Sequence, residues 1–282
     1  MHWVITGAAG MLGQDLITAA RNAGHEVLGL PRAELDIADR AAVHEAVGAA
    51  HADVVVNCAA WTNVDGAETS PEDALAVNGA GAGNVARAAA AAGAWTIHIS
   101  SDYVFDGAKR SPYVESDPVG PVSSYGRSKL AGEREVAAAA PDRHTIVRSS
   151  WLFGAGGPCF PATILRLAAE RDELKVVGDQ VGCPTFTGHL AHALLAAADR
   201  QPVGVLHVAG AGECSWYEFA RAIVADSGLR CEVKPCTTAE MPRPATRPAY
   251  SVLRSERGAP ALPDWRQGLA DYVAVTRAVS PT

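Results

Sequence analysis

Positive charge is in short supply: 24 Lys and Arg stand against 31 Asp and Glu in 282 residues, a formal net charge of -7. That balance excludes a protein whose main work is electrostatic binding to nucleic acid or to an acidic membrane surface, and it confines any anionic ligand to local sites. The six cysteines, Cys58, Cys159, Cys183, Cys214, Cys231 and Cys236, include no CxxC pair and no dense spacing. This argues against a disulfide framework and for a reducing, cytoplasmic setting. No stretch offers the roughly 18 uncharged apolar residues that span a bilayer. The opening Met1-His2-Trp3-Val4-Ile5-Thr6 lacks both the basic and the continuous apolar region of a signal peptide. The alanine runs at 88–92 and 137–140 are too short for a membrane span and predict helix. Internal repeats and a linker long enough to separate independent domains are also missing. What is there is apolar material: 48% of residues are hydrophobic and 20% charged. That is enough for one large α/β core or two modest lobes, and it rules out intrinsic disorder.

Short Val/Ile-rich runs alternate with Ala-rich stretches through the first half. The pattern predicts strands at 2–6, 26–30, 53–58, 95–100 and 145–149, joined by helices at 11–22, 39–50, 71–92 and 124–140. Each helix is long enough to cross over between parallel strands, so the expected fold is α/β, a doubly wound parallel sheet of the Rossmann kind. Beyond residue 150 the rhythm weakens, with helices expected at 162–171, 189–198, 215–227 and 268–278 and short strands at 174–177, 203–207 and 231–234. This predicts a smaller C-terminal α/β substrate lobe over 153–282, beside a dinucleotide-binding domain over 1–152 that parts of 178–210 join. Stretch 106–122, rich in Pro, Ser and acids, and stretch 154–161, rich in Gly and Pro, read as loops beside a site. Pro242, Pro244 and Pro248 forbid regular helix or central strand in 241–248.

Gly7-Ala8-Ala9-Gly10-Met11-Leu12-Gly13 follows the first expected strand directly and opens a helix. In that position one glycine permits the tight turn, a second lets backbone approach a pyrophosphate, and a third lets helix pack on strand. The helix N-terminus adds unpaired N–H donors and a partial positive charge. Placement, more than the glycine pattern, points to dinucleotide binding by Gly7, Gly10, Met11, Leu12 and Gly13. An acid at the tip of the second strand would hold the ribose 2′-hydroxyl of NAD. That tip reads Leu30-Pro31-Arg32 instead. Arg32 can pair with a 2′-phosphate, which favours NADPH and leaves NADH open; a solvated surface charge is the other reading.

Tyr125-Gly126-Arg127-Ser128-Lys129 places a phenol and an amine at i and i+4, on one face near the start of a helix. A free tyrosine, with a pKa of about 10, is a poor proton shuttle at neutral pH, and a neighbouring ammonium is expected to bring it toward the working range. The fourth strand ends in Ile99-Ser100-Ser101-Asp102-Tyr103, where a hydroxyl can hold a carbonyl oxygen beside the phenol. Ser101, Tyr125 and Lys129 are therefore the candidate catalytic set for reversible carbonyl reduction, with Tyr125 and Lys129 also at the cofactor. A YxxxK alone is an ordinary surface pair. It gains meaning from the glycine turn and the strand-end serine that precede it.

The GxxGxxG spacing resembles the extended short-chain dehydrogenase/reductase superfamily, and that resemblance puts Asp36 and Ile37 beside the adenine and Asn78 near the active site. A narrower resemblance runs across nearly the whole chain. Residues 57–68, NCAAWTNVDGAE, are similar to NAAAYTxVDxAE; 101–107, SDYVFDG, to [ST]DYVFDG; and 125–133, YGRSKLAGE, to YGxSKLxGE. Residues 148–154, RSSWLFG, are similar to RTSW[VL][FY]G; 177–185, VGDQVGCPT, to xxDQxGxPT; and 247–253, RPAYSVL, to RPxxSxL. All are signatures of the dTDP-4-dehydrorhamnose reductase family. The resemblance implies NAD(P)H-dependent reduction of the C4 keto group of a nucleotide-linked 4-keto-6-deoxyhexose, typically dTDP-4-dehydro-L-rhamnose to dTDP-L-rhamnose. It assigns Ala59, Ala60 and Thr62 to the cofactor cleft, and Val64, Asp102, Tyr103 and Trp151 to the sugar. An aromatic face at Trp151 would pack on the apolar side of the ring. Gln180, Pro184, Thr185 and Arg247 fall at the nucleotide end, where a guanidinium can meet a diphosphate with two hydrogen bonds.

The departures are mild: Trp61 for the usual Tyr, Ser101 for the commoner Thr, and Tyr250 where Asn is frequent. The acidic loop at 115–118 is a candidate to close over the sugar. A homodimer, and Mg2+ held by acidic residues at its contact, enter through the resemblance alone, since the sequence has no Asp/Glu/His cluster with ligand spacing. His189 and His192 form an HxxH without a third ligand and read as solvated or core histidines. The competing readings are a related nucleotide-sugar reductase or epimerase of a secondary-metabolite deoxysugar pathway, and a non-catalytic regulatory homologue.

Overall fold

Alternation along the strands decides which helix covers which face. In the computed structural model, which describes residues 1–279, the first half runs β1 (His2–Thr6), α1 (Met11–Asn22), β2 (Glu26–Leu30), α2 (Arg40–Ala49), β3 (Val54–Asn57), the short helices α3 (Gly66–Thr69) and α4 (Pro71–Leu75), then α5 (Ala82–Ala91), β4 (Trp95–Ser101), α6 (Ser124–Ala139) and β5 (His144–Ser149). The second half holds β6 (Leu152–Phe153), α7 (Phe160–Glu170), β7 (Glu173–Val177), β8 (Val181–Gly182), β9 (Thr185–Phe186), α8 (Thr187–Arg200), β10 (Gly204–His207), β11 (Cys214–Ser215), α9 (Trp216–Ser227), β12 (Glu232–Cys236) and α10 (Trp265–Val279).

One six-stranded sheet takes the order β10-β5-β4-β3-β1-β2 with every pairing parallel. Trp3, Ile5, Val54 and Val56 face a core completed by Leu12 and Leu16 of α1 and Leu190 and Leu194 of α8. Val4 and Val55, one residue out of phase, face Val43 and Val47 of α2 and Val85 and Ala89 of α5. Because both faces are covered, all of β3 and β4 is buried; β3 reads as a run of valines, while β4 buries Thr96, His98, Ser100 and Ser101 along with its apolar residues. The chain leaves β1 for β2 through α1 and comes back to β3 on the other side of β1. The crevice at the C-terminal ends of β1 and β3 is therefore the topological switch point, where such sheets bind ligands.

A smaller core gathers Phe153, Phe219 and Trp265 from β6, α9 and α10 with Ile164 of α7, beside the parallel pair β7 and β12. The strand expected at 203–207 closes the large sheet: Gly204 of β10 pairs with Thr145 of β5. The single helix expected over 71–92 is interrupted, because Ala76–Gly81 widens into a π-helical turn between α4 and α5. Asn78, in that turn, accepts from Trp61 N at 2.8 Å and donates to Trp61 O at 3.0 Å and Ser128 Oγ at 2.9 Å. The side chain thus ties the segment after β3 to α6, and the widened turn accommodates it.

Candidate active site

The glycine turn has no room for side chains. Gly7 is left-handed, with φ of +67°, and a Cβ there would lie 2.6 Å from the backbone nitrogen of Ala59, just past β3. A Cβ on Gly13 would lie 2.5 Å from the Gly7 carbonyl oxygen. Gly10 stands at the N-cap of α1 and supplies no side-chain cap to the first turn, so the N–H groups there remain for a ligand. This turn forms one end of a cavity of about 730 Å³. Gly7, Gly10, Met11, Leu12 and Gly13 line it from α1, Arg32, Asp36 and Ile37 from the segment after β2, and Ala59, Ala60 and Thr62 from the segment after β3. Arg32 is exposed, while Ile37 is buried and its carbonyl accepts from Asn84. The Asp36 carboxylate turns back to accept from Ala38 N at 3.0 Å. A glycine cradle, an uncapped helix end and a guanidinium at the second strand tip together fit a phosphorylated dinucleotide.

Next to this cradle, β4 delivers Ser101 and α6 delivers Tyr125 and Lys129 to the same cavity. Ser123 caps α6 by accepting from Gly126 N at 3.1 Å. The lack of a side chain at Gly126 lets the helix lie against the carbonyl of Tyr103. That approach brings the rings of Tyr103 and Tyr125 edge to face, with centroids 5.5 Å apart. Ser101 Oγ donates to Asp102 Oδ1 at 2.9 Å and accepts from Tyr103 N at 3.2 Å. Lys129 Nζ donates to the Ile99 carbonyl at 2.7 Å.

Burial sets the electrostatics. It pushes the Tyr125 phenol up to about 12, with the Ser101 hydroxyl pulling down and the Asp102 charge adding to the push. It drives the Lys129 ammonium down to about 8, against the pull of Glu133 and Cys58. The i, i+4 spacing predicts that the lysine draws the tyrosine down; in this arrangement the amine is bonded to the end of β4 and desolvation dominates the phenol. Burial also raises Asp102 to about 6, opposed by hydrogen bonds from Ser251, Ser101 and Ser150.

At the far end, Val64, Asp102, Tyr103, Trp151 and Arg247 line the cavity. Trp151 is held at a φ of +47°, a strained value for a large side chain. Its indole stacks on that of Trp216, with centroids 3.4 Å apart and planes within 4°, and the Cβ direction of Gly182 points into the same ring. A sugar stacking on Trp151 would therefore meet Trp216 first. Phe160 packs on Trp216 in turn, with centroids 4.5 Å apart. Neither Phe160 nor Trp216 was a candidate from sequence; the loop at 154–161, which leads into Phe160, was the one signal near them. Arg247 reaches the cavity with its guanidinium already engaged, donating to both oxygens of Asp65 at 3.0 Å and to the Ala245 carbonyl at 2.9 Å. That pairing holds the Asp65 carboxyl below its usual range.

Three residues expected at the nucleotide end stand elsewhere. Gln180 is buried and donates to Thr238 Oγ1 at 2.9 Å. Thr185 Oγ1 donates to Cys183 O at 3.2 Å and accepts from Gly210 N at 3.0 Å, and the Pro184 carbonyl lies against Gly210. These side chains and carbonyls brace the loops of the second half rather than line the cavity. Glu115, proposed to close over the sugar, is tied down by His207 N, Ser255 Oγ and Glu256 N at 2.8, 2.6 and 2.8 Å. His189 pairs with Asp271 at 2.7 Å. Among the described residues, no group of three or more His, Cys, Asp or Glu side chains is placed to hold a metal ion, and no helix is long and apolar enough to cross a membrane.

A doubly wound sheet with a glycine turn at its switch point, and a strand-end serine facing a Tyr-x-x-x-Lys helix, defines an oxidoreductase fold of the extended short-chain dehydrogenase/reductase class. The family described as RmlD substrate binding domain matches residues 1–278. A dTDP-4-dehydrorhamnose reductase of Mycolicibacterium smegmatis is 50% identical over 280 residues, covering 96% of this chain and 84% of that protein. The solved structure of a Clostridium acetobutylicum dTDP-4-dehydrorhamnose reductase aligns with a TM-score of 0.94 at 41% identity, covering 98% of this chain and 100% of that one. The Bacillus anthracis dTDP-4-dehydrorhamnose reductase, solved in complex with NADP, aligns with a TM-score of 0.94 at 35% identity, covering 98% and 99%. The chain belongs to the dTDP-4-dehydrorhamnose reductase family.

Proposed function

We propose that the chain reduces the C4 keto group of dTDP-4-dehydro-L-rhamnose to give dTDP-L-rhamnose, using NADPH. The observation that carries this reading is the convergence of Ser101, Tyr125 and Lys129 at the end of β4, in one cavity with the glycine turn. The names of the relatives support the substrate, and the NADP complex of one of them supports the cofactor. Gly7, Gly10, Met11, Leu12 and Gly13 hold the pyrophosphate, Asp36 and Ile37 flank the adenine, Ala59, Ala60 and Thr62 wall the cleft, and Arg32 meets the 2′-phosphate. When bound, the nicotinamide supplies the hydride.

The residues of the chain do the rest. A phenol held at about 12 is protonated throughout the working range, so Tyr125 stands ready to donate its proton to the carbonyl oxygen as negative charge develops there. Ser101 holds the same oxygen in place, turning its hydroxyl away from Asp102 to do so. Lys129, charged below about pH 8, stabilises the tyrosinate left behind and bonds the ribose. Asp102, Tyr103, Val64 and the Trp151 edge border the sugar, and Arg247 meets the diphosphate by exchanging Asp65 for it. Residues 1–152 thus supply the dinucleotide side and, through Val64, Asp102, Tyr103 and Trp151, most of the sugar contacts, while Arg247 comes from the smaller lobe, in a protein we place in the cytoplasm as a homodimer. Tyr125→Phe tests the assignment. Turnover should fall by roughly 10²- to 10⁴-fold while the affinity for NADPH stays that of the parent; unchanged turnover refutes the proton-donor role.

A further inference from the structure

Tyr125, Lys129 and Glu133 occupy successive turns on one face of α6. The first two belong to the reaction proposed above. The third is 4% exposed and fully engaged: its Oε1 accepts from Ser100 Oγ at 2.6 Å and from Arg148 Nε at 2.8 Å, and its Oε2 accepts from Arg148 Nη2 at 2.7 Å. Arg148 is as buried as its partner, lies over the Phe105 ring at 5.1 Å, and brings Nη1 to 3.5 Å from His207 Nε2. Burying such a pair costs desolvation that well-packed apolar residues would avoid. Its placement suggests what the cost achieves. Three consecutive residues of β4 meet this machinery: Ile99 through its carbonyl to Lys129, Ser100 through its hydroxyl to Glu133, and Ser101 as the hydroxyl beside Tyr125.

We propose that Glu133, held by Arg148, is a positioning residue for Lys129: through Ser100 it seats α6 on the end of β4, and its negative charge holds the lysine side chain as an ammonium beside Tyr125. The inference rests on the reading of Tyr125 and Lys129 as reaction groups. Lys129 shares one face of α6 with Tyr125 and Glu133 and is faced by Cys58 just past β3 and by His98 on β4, with Arg148 of β5 paired to Glu133. Burial raises the Cys58 thiol to about 12 and drives His98 well below its usual value, so both are neutral in the working range. Of these neighbours, Glu133 is the one that brings negative charge to the lysine. It opposes the desolvation that depresses Lys129, and removing its charge lets that depression deepen.

Glu133→Gln keeps the shape and the Ser100 contact but strands Arg148, which risks unfolding. The double variant Glu133→Gln with Arg148→Met removes both charges and guards against that. In each, the titration of Lys129 is followed by NMR on protein with ¹³C-labelled lysine, Lys129→Met identifying the resonance, and kcat/KM is measured against pH. The expected result is a Lys129 midpoint lowered by about one pH unit or more in Glu133→Gln and by a smaller amount in the double variant, where the opposing Arg148 charge is also gone, with the alkaline limb of kcat/KM moving to lower pH by the same amount in each, because the ammonium is then lost sooner. A folded variant whose Lys129 midpoint is unmoved overturns the proposal. A midpoint that moves while the limb of kcat/KM stays in place upholds Glu133's hold on the lysine and refutes instead the reading of Lys129 as a reaction group.

Discussion

Asp102 is an acid in an environment that resists its charge, and replacing it should stabilise the protein at neutral pH. It is 1% exposed, and its carboxyl rises from 3.8 to about 6 because burial outweighs the hydrogen bonds from three serines. Below about pH 4 the group is protonated in both the folded and the unfolded chain and contributes no difference. Between pH 4 and 6 the unfolded chain releases the proton first, so the folded state loses stability as pH rises; above 6 the loss is complete. Two units at about 1.4 kcal/mol each give a penalty of about 3 kcal/mol at pH 7. Asp102→Asn removes that penalty at every pH but gives up one acceptor for the Ser101 and Ser150 hydroxyls, worth about 1 kcal/mol. The variant should therefore be less stable than the parent by about 1 kcal/mol near pH 4 and more stable by about 2 kcal/mol at pH 7. Urea unfolding of both proteins across this range measures the difference, in which the other titrating groups cancel. A difference that is constant with pH refutes the reasoning, since a neutral asparagine can then be replacing nothing that titrates.

Two further perturbations probe the ends of the cavity. Arg32→Ala should raise the KM for NADPH by about tenfold or more, the worth of a charge-assisted phosphate contact, and leave that for NADH where it was; equal losses with both nucleotides would return Arg32 to the solvated surface. Trp216→Ala removes the face-to-face indole pair, so the exciton-coupled signal in the ultraviolet circular dichroism should disappear and stability should drop by about 1 kcal/mol from the lost stack alone. An unchanged spectrum would show that the two indoles do not stack in solution.

What could be read from the sequence was local. The valines of β3, the glycine turn after β1 and the i, i+4 spacing of Tyr125 and Lys129 each depend on neighbours a few residues away, and the fold puts them where their spacing implies. Contacts between distant segments were not legible. β10 looks like any short strand, and only its pairing with β5 makes it the edge of the large sheet. Trp216 sits at the start of a well-capped helix with nothing in its neighbours to show that it reaches Trp151. The π turn around Asn78 exists because two other segments bind that side chain. Gln180 and Thr185 matched a family signature, but a match carries no coordinates, and their hydrogen bonds brace loops instead. The helix spacing brought Lys129 near Tyr125 without revealing that its amine would bond the Ile99 carbonyl.

The reaction itself is tested by incubating the protein with NADPH and dTDP-4-dehydro-L-rhamnose, following loss of the reduced nicotinamide absorbance, and identifying the sugar by NMR. Rapid oxidation is expected, with dTDP-L-rhamnose as the product. A protein that binds NADPH but leaves that keto-sugar untouched, or that returns the opposite configuration at C4, would contradict it.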